Sequence, residues 1–404
     1  MTSIWLSVLI CILPFAAGAE GLPPLTLPDG VGVNIHFVQG HETDLNMIAA
    51  AGFKIVRMDF FWSAIERKEG IYDWSAYDKL TANLERHGLR PYYILDYSNP
   101  LYEKGGPSPR HPESVGAFAR WAGAAARHFR GHHVIWEIWN EPNGGFWKPH
   151  PDAAQYTALA LAAAKSIRAA DPHACIVAPA CAGFDWDFLE AVMKSGLLDY
   201  LDGVSVHPYR AQPPETAGQD FQRLRKLIAR YAPPGRKIPI LSGEWGYSSH
   251  TGSVSERTQA EYAVRQQLSN LLDGVPVSIW YDWKNDGANP AENEQNFGTV
   301  TRDLKPKPAY SAIQTLTREL SGDGVEGRRN TGNEKDWVLV LTNALGQTKI
   351  AAWTLDVPHT VRFDSSLKLQ LDSMPQYGNG SVLSIIPFFH CIAMFRAAGS
   401  TTGG

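Results

Sequence analysis

Eight times between residues 30 and 320 the chain places a short apolar run ahead of a longer amphipathic stretch. GVGVNIHFV (30–38) precedes ETDLNMIAAAG, closed by Gly52, and FKIVRMDFFW (53–62) precedes YDKLTANLERHG, closed by Gly88. LRPYYILDYSN (89–99) is followed, after a long loop, by PESVGAFARWAGAAARHFRG. HVIWEIWNEPN (133–143) leads into DAAQYTALALAAAKSIRAAD, stopped by Pro172, and ACIVAPACAG (174–183) leads into WDFLEAVMKSG. LDGVSVHPYR (201–210), KIPILSGEWGYSS (237–249) and VPVSIWYDWKNDG (275–287) precede FQRLRKLIARY, ERTQAEYAVRQQLSNLLDG and KPAYSAIQTLTREL. Strands that alternate with helices build a parallel sheet. Eight such units over roughly 290 residues match a (β/α)8 TIM barrel. The rival is a doubly wound open sheet, but no Gly-rich phosphate loop opens any of the helices.

After residue 320 the pattern changes. SGDGVEGRRNTGNEKD reads as a polar, Gly-rich linker, and WVLVLTN, IAAWTL, TVRF, LKLQL, SVLSII and HCIAMFR recur as short strands separated by turns. The expected organisation is a catalytic barrel over 20–320, a small all-β, sandwich-like accessory domain over 321–397 and a flexible tail over 398–404. Residues 1–19, MTSIWLSVLICILPFAAGA, are apolar and end in Ala17-Gly18-Ala19, the small-residue pattern of a cleaved secretory signal. The stretch is too short and too well terminated for a membrane span. It predicts a secreted or periplasmic protein with no stable membrane span once the signal is removed. Cleavage would take Cys11 and leave Cys175, Cys181 and Cys391, an odd and sparse set that is no disulfide framework. Cys175 and Cys181 stand six apart on one strand, too far in an extended chain to bridge.

Of the 404 residues, 44% are hydrophobic, ample for a large core. A net charge of -4 and a pI near 6.4 supply no basic stripe, which removes the electrostatic argument for nucleic acid or an anionic membrane. No metal-ligand spacing appears, so neither a metal nor a cofactor is expected, and a monomer is the simplest assembly. Thirteen tryptophans are many for this length. They serve either as core or as flat apolar faces for sugar rings.

A barrel collects its catalytic groups at the C-terminal ends of the strands, where the βα loops surround the mouth. His36 closes the first run, Arg57 and Asp59 lie in the second, and Asp96 and Tyr97 end the third. Asn140-Glu141 ends the fourth, His207 and Tyr209 the sixth, and Glu244-Trp245 the seventh; Trp280, Asp282 and Trp283 end the eighth. Two isolated glutamates, Glu141 and Glu244, thus face each other across a mouth rich in Trp and Tyr. That pair suggests glycoside hydrolysis, in which one carboxylic acid protonates the leaving oxygen while the other attacks or activates water. The alternative for each is a solvated loop residue or a buried ion pair. Glu137, four residues before Glu141 and roughly 13 Å deeper in an extended strand, is expected to be structural and paired with a basic or hydroxyl partner.

WNEPN together with SGEWG resembles the clan of retaining (β/α)8 glycoside hydrolases. VWEIWNEPN, VSVHPY and WYDWKNDGANPAENEQNFGTV are similar to family 39 and its PslG-type exopolysaccharide hydrolases. Family 5 shares the NEP and E-W pieces. The resemblance covers about residues 30 to 395 and also suits a β-sandwich appendage. It implies that Glu141 is the general acid/base, Glu244 the nucleophile, Asn140 the ligand of the sugar 2-hydroxyl and Arg57 the partner of the nucleophile. His207 and Tyr209 match site residues of the sixth strand, and Trp280 or Trp283 would be the platform under the sugar at the cleaved bond. His36 and Asp96 fall at substrate-binding positions that vary among relatives.

Physical reasoning supports the same roles. The acid must hold its proton near neutral pH, which Trp139, Trp147 and the second anion Glu244 are expected to favour. The nucleophile must stay ionised, which Arg57 and the Tyr209 hydroxyl favour. A retaining mechanism predicts carboxyls about 5 to 5.5 Å apart, against roughly 6.5 to 9.5 Å for inversion. Trp62, Trp147, Trp186 and Trp245 are either subsite platforms or core, Asp282 and Asp286 read more readily as loop hydrogen-bonding groups than as a cation site, and His132-His133 read as structural. The expected partner is an oligo- or polysaccharide, cleaved by an exopolysaccharide-degrading endoglycosidase or a β-xylosidase-like exo-enzyme. The rivals are a family-5-like endoglucanase or mannanase, a catalytically inactive glycan-binding barrel, and a purely structural surface protein.

Overall fold

The computed structural model describes residues 21–39, 41–362 and 368–379. The leader over 1–19, Cys11, the predicted strands SVLSII and HCIAMFR, Cys391 and the tail over 398–404 lie outside these residues. Eight parallel strands close into a barrel in sequence order: β1 (Val31–Asn34), β2 (Ile55–Phe61), β3 (Arg90–Asp96), β4 (Ile135–Ile138), β5 (Cys175–Ala182), β6 (Gly203–His207), β7 (Ile240–Trp245) and β8 (Ser278–Trp280). The helices around them are α1 (Glu42–Ala50), α2 (Trp62–Ile65), α3 (Ser75–Arg86), α4 (Pro112–His128), α5 (Ala153–Ala170), α6 (Trp186–Lys194), α7 (Gly218–Tyr231), α8 (Glu256–Leu272) and α9 (Pro308–Glu319). All eight amphipathic stretches are helical, with α2 as a short addition. Local chemistry sets several starts: Asp152 accepts from the backbone of Ala154 and Gln155, Asp185 from Phe188, and Ser255 from Thr258.

The strands are shorter than the apolar runs that announced them, so most mouth residues stand just beyond regular pairing. Inside the barrel, Ile55, Tyr92, Ile135, Cys175, Val177, Leu241, Val277 and Ile279 form an apolar layer. The alternate residues point outward into the larger core between strands and helices, where Trp121, Trp136, Trp245 and Trp280 are buried. Cys175 and Cys181 are both buried free thiols. No described helix is long and apolar enough to cross a membrane.

The C-terminal region is all-β, as expected. A four-stranded antiparallel sheet runs in the order β14 (Gln376–Asn379), β11 (Thr348–Thr354), β10 (Asp336–Asn343) and β9 (Asp323–Arg329), beside a hairpin of β12 (His359–Arg362) and β13 (Lys368–Leu371). The stretch read as a linker is corrected here, because its first half is β9, paired along β10 from Asp323↔Asn343 to Arg329↔Val338. Its sequence hides the strand: DGVEGRR carries a single apolar side chain, and the pairing is backbone chemistry supplied by the apolar β10. The sheet packs on the barrel through Leu339, Leu341, Ala351 and Trp353, which join the core of the barrel helices, and through polar bonds. Trp353 Nε1 donates to Glu215 Oε1 at 2.8 Å, Glu215 also takes Arg265 at 2.6 and 2.9 Å, and Ser373 donates to Glu261 at 2.7 Å. Arg265 and Glu261 both lie on α8, which is why that helix is buried on nearly every face.

Candidate active site

The site is organised from its floor upward. Glu137 on β4 is fully buried, and both of its oxygens are engaged: Arg57 Nε donates to Oε2 at 2.9 Å, while Tyr92 and Ser205 hydroxyls donate to Oε1 at 2.7 and 2.5 Å. This is the basic-plus-hydroxyl pairing expected of a structural carboxylate. Gly243 belongs to the same floor, since a Cβ there would land on Ser205 Oγ. The other glycine of SGEWG, Gly246, lies against the backbone carbonyl of Tyr281. Both glycines bracketing Glu244 are therefore demanded by close approach.

Arg57, 1% exposed, connects this floor to the mouth. Its Nη1 donates to Glu244 Oε2 at 2.5 Å and to Asn34 Oδ1 at 3.1 Å, and its Nη2 to Asn140 Oδ1 at 2.9 Å. Burial disfavours the guanidinium charge, but Glu137, Glu244 and Tyr92 outweigh it and hold the arginine charged, well above its ordinary value. Nη2 also meets His207 Nε2 at 3.3 Å. A guanidinium cannot accept, so Nε2 accepts and Nδ1 carries the hydrogen that His207 gives to Glu141 Oε1 at 2.9 Å. Tyr209 donates to Glu244 Oε1 at 2.9 Å; burial and the Glu244 charge push the phenol well up, so it keeps its proton. Both oxygens of Glu244 thus face donors.

Glu141 leaves the strand at φ 45°, two residues after Trp139 at φ 69°, both in the left-handed region that non-glycine residues rarely adopt. Its amide is held by Ala180 O at 3.0 Å. That turn swings its carboxyl over the mouth, where one ligand atom each of Glu141, His207 and Glu244 lie within 4.8 Å of one another. The surroundings of Glu141 differ from the charge-disfavouring ones expected. Burial does push its carboxyl up, but the hydrogen bond from His207 and the charge of Arg57 outweigh burial and hold it below its ordinary range. The tryptophans invoked for that role, Trp139 and Trp147, lie buried in the core and provide only the burial.

A cavity of about 490 Å³ opens above these groups. Asn34, His36, Arg57, Asp59, Tyr97, Asn140, Glu141, Phe146, Tyr209, Glu244, Tyr281, Asn293, Glu294 and Phe297 are among its lining. Of the ten site residues anticipated from sequence, His36, Arg57, Asn140, Glu141, Tyr209 and Glu244 line it, and His207 supports it from behind. The other three lie away from it. Asp96 is fully buried near Asp59; burial first, then the charge of Asp59, push its carboxyl well above the usual range. Trp280 and Trp283 are 0% and 1% exposed and donate to Phe297 O and Asp44 Oδ1 at 3.4 and 2.8 Å. The β8 aromatic in the cavity is Tyr281, edge-on to Phe297 with ring centres 5.2 Å apart. The signal was available in the two-residue alternation: Ile279 points into the barrel, Trp280 outward, and Tyr281 inward again. Asn293, Glu294 and Phe297 come from the long loop after β8, whose shape no periodicity announces. Trp62, Trp147 and Trp245 are core, while Trp186 is half-buried under the Arg223 guanidinium at 3.8 Å.

Comparison with known proteins adds to this geometry. Residues 29–287 match the family model described as cellulase (glycosyl hydrolase family 5). A β-xylosidase of Geobacillus stearothermophilus is 25% identical over 357 residues, covering 76% of this chain and 69% of that protein. The structure of a family 39 glycoside hydrolase from Bacteroides cellulosilyticus WH2 superposes with a TM-score of 0.76 at 24% identity, over 89% of this chain and 81% of that one. A family 39 β-xylosidase of Caulobacter crescentus gives a TM-score of 0.63 at 23% identity, over 85% of this chain and 81% of that one.

Proposed function

This chain belongs to the cellulase family, glycosyl hydrolase family 5, and from that premise we propose that it is a retaining β-glycosidase in which Glu244 is the nucleophile and Glu141 the acid/base. The observation that carries the reading is the meeting of Glu141, His207 and Glu244 within 4.8 Å, with Arg57 and Tyr209 both donating to Glu244. An approach of that order supports the short carboxyl separation of a retaining enzyme over the wider one that inversion uses. Glu244 attacks the anomeric carbon from one face while Glu141 gives its proton to the departing oxygen. The glycosyl-enzyme bond to Glu244 is then broken by a water that Glu141 deprotonates. Asn140, positioned by Arg57 and by the Tyr97 hydroxyl at 3.2 Å, presents its amide to the sugar beside the cleaved bond. Tyr281 supplies the aromatic face first assigned to a tryptophan.

The substrate favoured by the two β-xylosidase relatives is a β-xyloside; an exopolysaccharide with β-linked sugars is the second choice. Hydrolysis of an aryl β-xyloside, followed by NMR of the first-formed anomer, tests both parts. A β-configured product supports retention, and an α-configured product refutes it. No hydrolysis of any aryl β-glycoside would leave the inactive glycan-binding barrel as the better reading. A secreted or periplasmic location rests on the apolar leader ending in Ala17-Gly18-Ala19. N-terminal sequencing of the mature protein tests it, and an intact Met1 would refute cleavage.

A further inference from the structure

A second cavity, of about 290 Å³, adjoins the catalytic one and shares Asn34 and His36 with it. At that junction His36 Nδ1 stands 3.1 Å from Asp286 Oδ1 and 3.9 Å from Asp282 Oδ2. One ligand atom from each of the three lies within 4.8 Å of the others. Asp282 is 2% exposed, and its second oxygen, Oδ1, has no hydrogen-bond partner among the described residues. Leaving a buried carboxyl oxygen without a partner is costly, so an orphan of this kind asks for a ligand that side chains do not supply. The sequence alone paired only Asp282 with Asp286; the barrel adds the imidazole of His36, just beyond β1.

We propose that His36, Asp282 and Asp286 form a binding site for a divalent first-row cation of the Zn2+ or Mn2+ kind. One imidazole nitrogen with two carboxylates suits those ions better than Ca2+, which prefers an all-oxygen shell. The geometry is close to ready. Ligands about 2.0 to 2.2 Å from a tetrahedral ion stand roughly 3.3 to 3.6 Å apart, against 3.1 and 3.9 Å from His36 to the two aspartates and at most 4.8 Å among all three. Asp286, on an exposed loop with 40% of its side chain accessible, is free to adjust. Binding would displace the hydrogen that His36 Nδ1 gives to Asp286 Oδ1. Lys284, which lines the same cavity, is offset by Asp44 at 3.0 Å.

The position gives the ion a task. Asp286 begins the connection that later contributes Asn293, Glu294 and Phe297 to the catalytic cavity. A cation joining it to His36 would pin that wall to β1, and its remaining coordination positions would face the cleft. Calorimetric titration of the metal-free protein with Zn2+, Mn2+ and Ca2+ in turn, alongside thermal unfolding, tests this without reference to activity. The expected result is one equivalent of Zn2+ or Mn2+ bound more tightly than Ca2+, a raised Tm, and an affinity at least about tenfold weaker in Asp286→Asn and in His36→Gln. Binding of no ion, binding unchanged in both variants, or Ca2+ binding as well as Zn2+ would overturn the proposal. Because binding and Tm are read directly, failure here leaves the glycosidase reading intact.

Discussion

Glu137 and Glu141 sit four residues apart at the same strand, and their surroundings differ in one decisive respect. Glu137 is saturated: a guanidinium and two hydroxyls occupy its oxygens, and no part of it is exposed. Glu141 has one side-chain hydrogen-bond partner among the described residues, His207, and lines an open cavity. A carboxylate with every acceptor position filled cannot take part in proton transfer to a substrate, whereas one with a free oxygen facing a cavity can. The lesson extends to β8, where two tryptophans with buried indoles hold the wall and the tyrosine between them faces the substrate space.

The sharpest way to break the contrast is at its partner across the mouth. Glu244→Gly is expected to lower turnover of an aryl glycoside by about 10^4-fold or more, with azide restoring product of inverted configuration. A variant that kept its activity would remove Glu244 as the nucleophile. Glu141→Gln should lose about 10^2- to 10^4-fold on substrates with poor leaving groups and far less on activated aryl glycosides. Equal losses on both would argue against the acid role.

Glu137→Ala inverts the pattern and tests the floor. It should cost about 3 to 5 kcal/mol of folding stability, because it strands the buried Arg57, and denaturant unfolding measures this. If Glu137→Ala were as stable as Glu141→Gln, the distinction between floor and mouth would fail. On β8, Tyr281→Ala should weaken kcat/KM by roughly tenfold with little change in Tm, whereas Trp280→Ala should lower Tm first. The reverse outcome would return the platform to a tryptophan.

The smallest effect concerns pH. A Glu141 carboxyl held below its ordinary range places the alkaline limb of kcat/KM on the acid side, and His207→Asn should move that limb upward. The same interaction stabilises the fold above the ordinary glutamate range and is lost as pH falls through the lowered value. A limb that stayed in place, or moved down, would mean that His207 does not govern the acid.

Much of this was legible in the chain itself. Eight apolar runs alternating with amphipathic stretches determine a parallel barrel, because each run needs covering on both faces and each helix has one apolar face to provide. The two glutamate motifs, Arg57, Asn140 and Tyr209 could be placed at the mouth because barrel topology brings the ends of all strands to one rim. Strand β9 was not legible, since its residues carry almost no apolar signal and its partner β10 imposes the pairing. The direction in which the Glu141 carboxyl is shifted was not legible either. Neighbouring residues suggested an apolar pocket around it, but the nearest group in space is His207, two strands away, held in its tautomer by Arg57. Periodicity and motif determine which residues reach the rim; side-chain direction and through-space partners, set only when the barrel closes, decide which of them face the sugar and in what charge state.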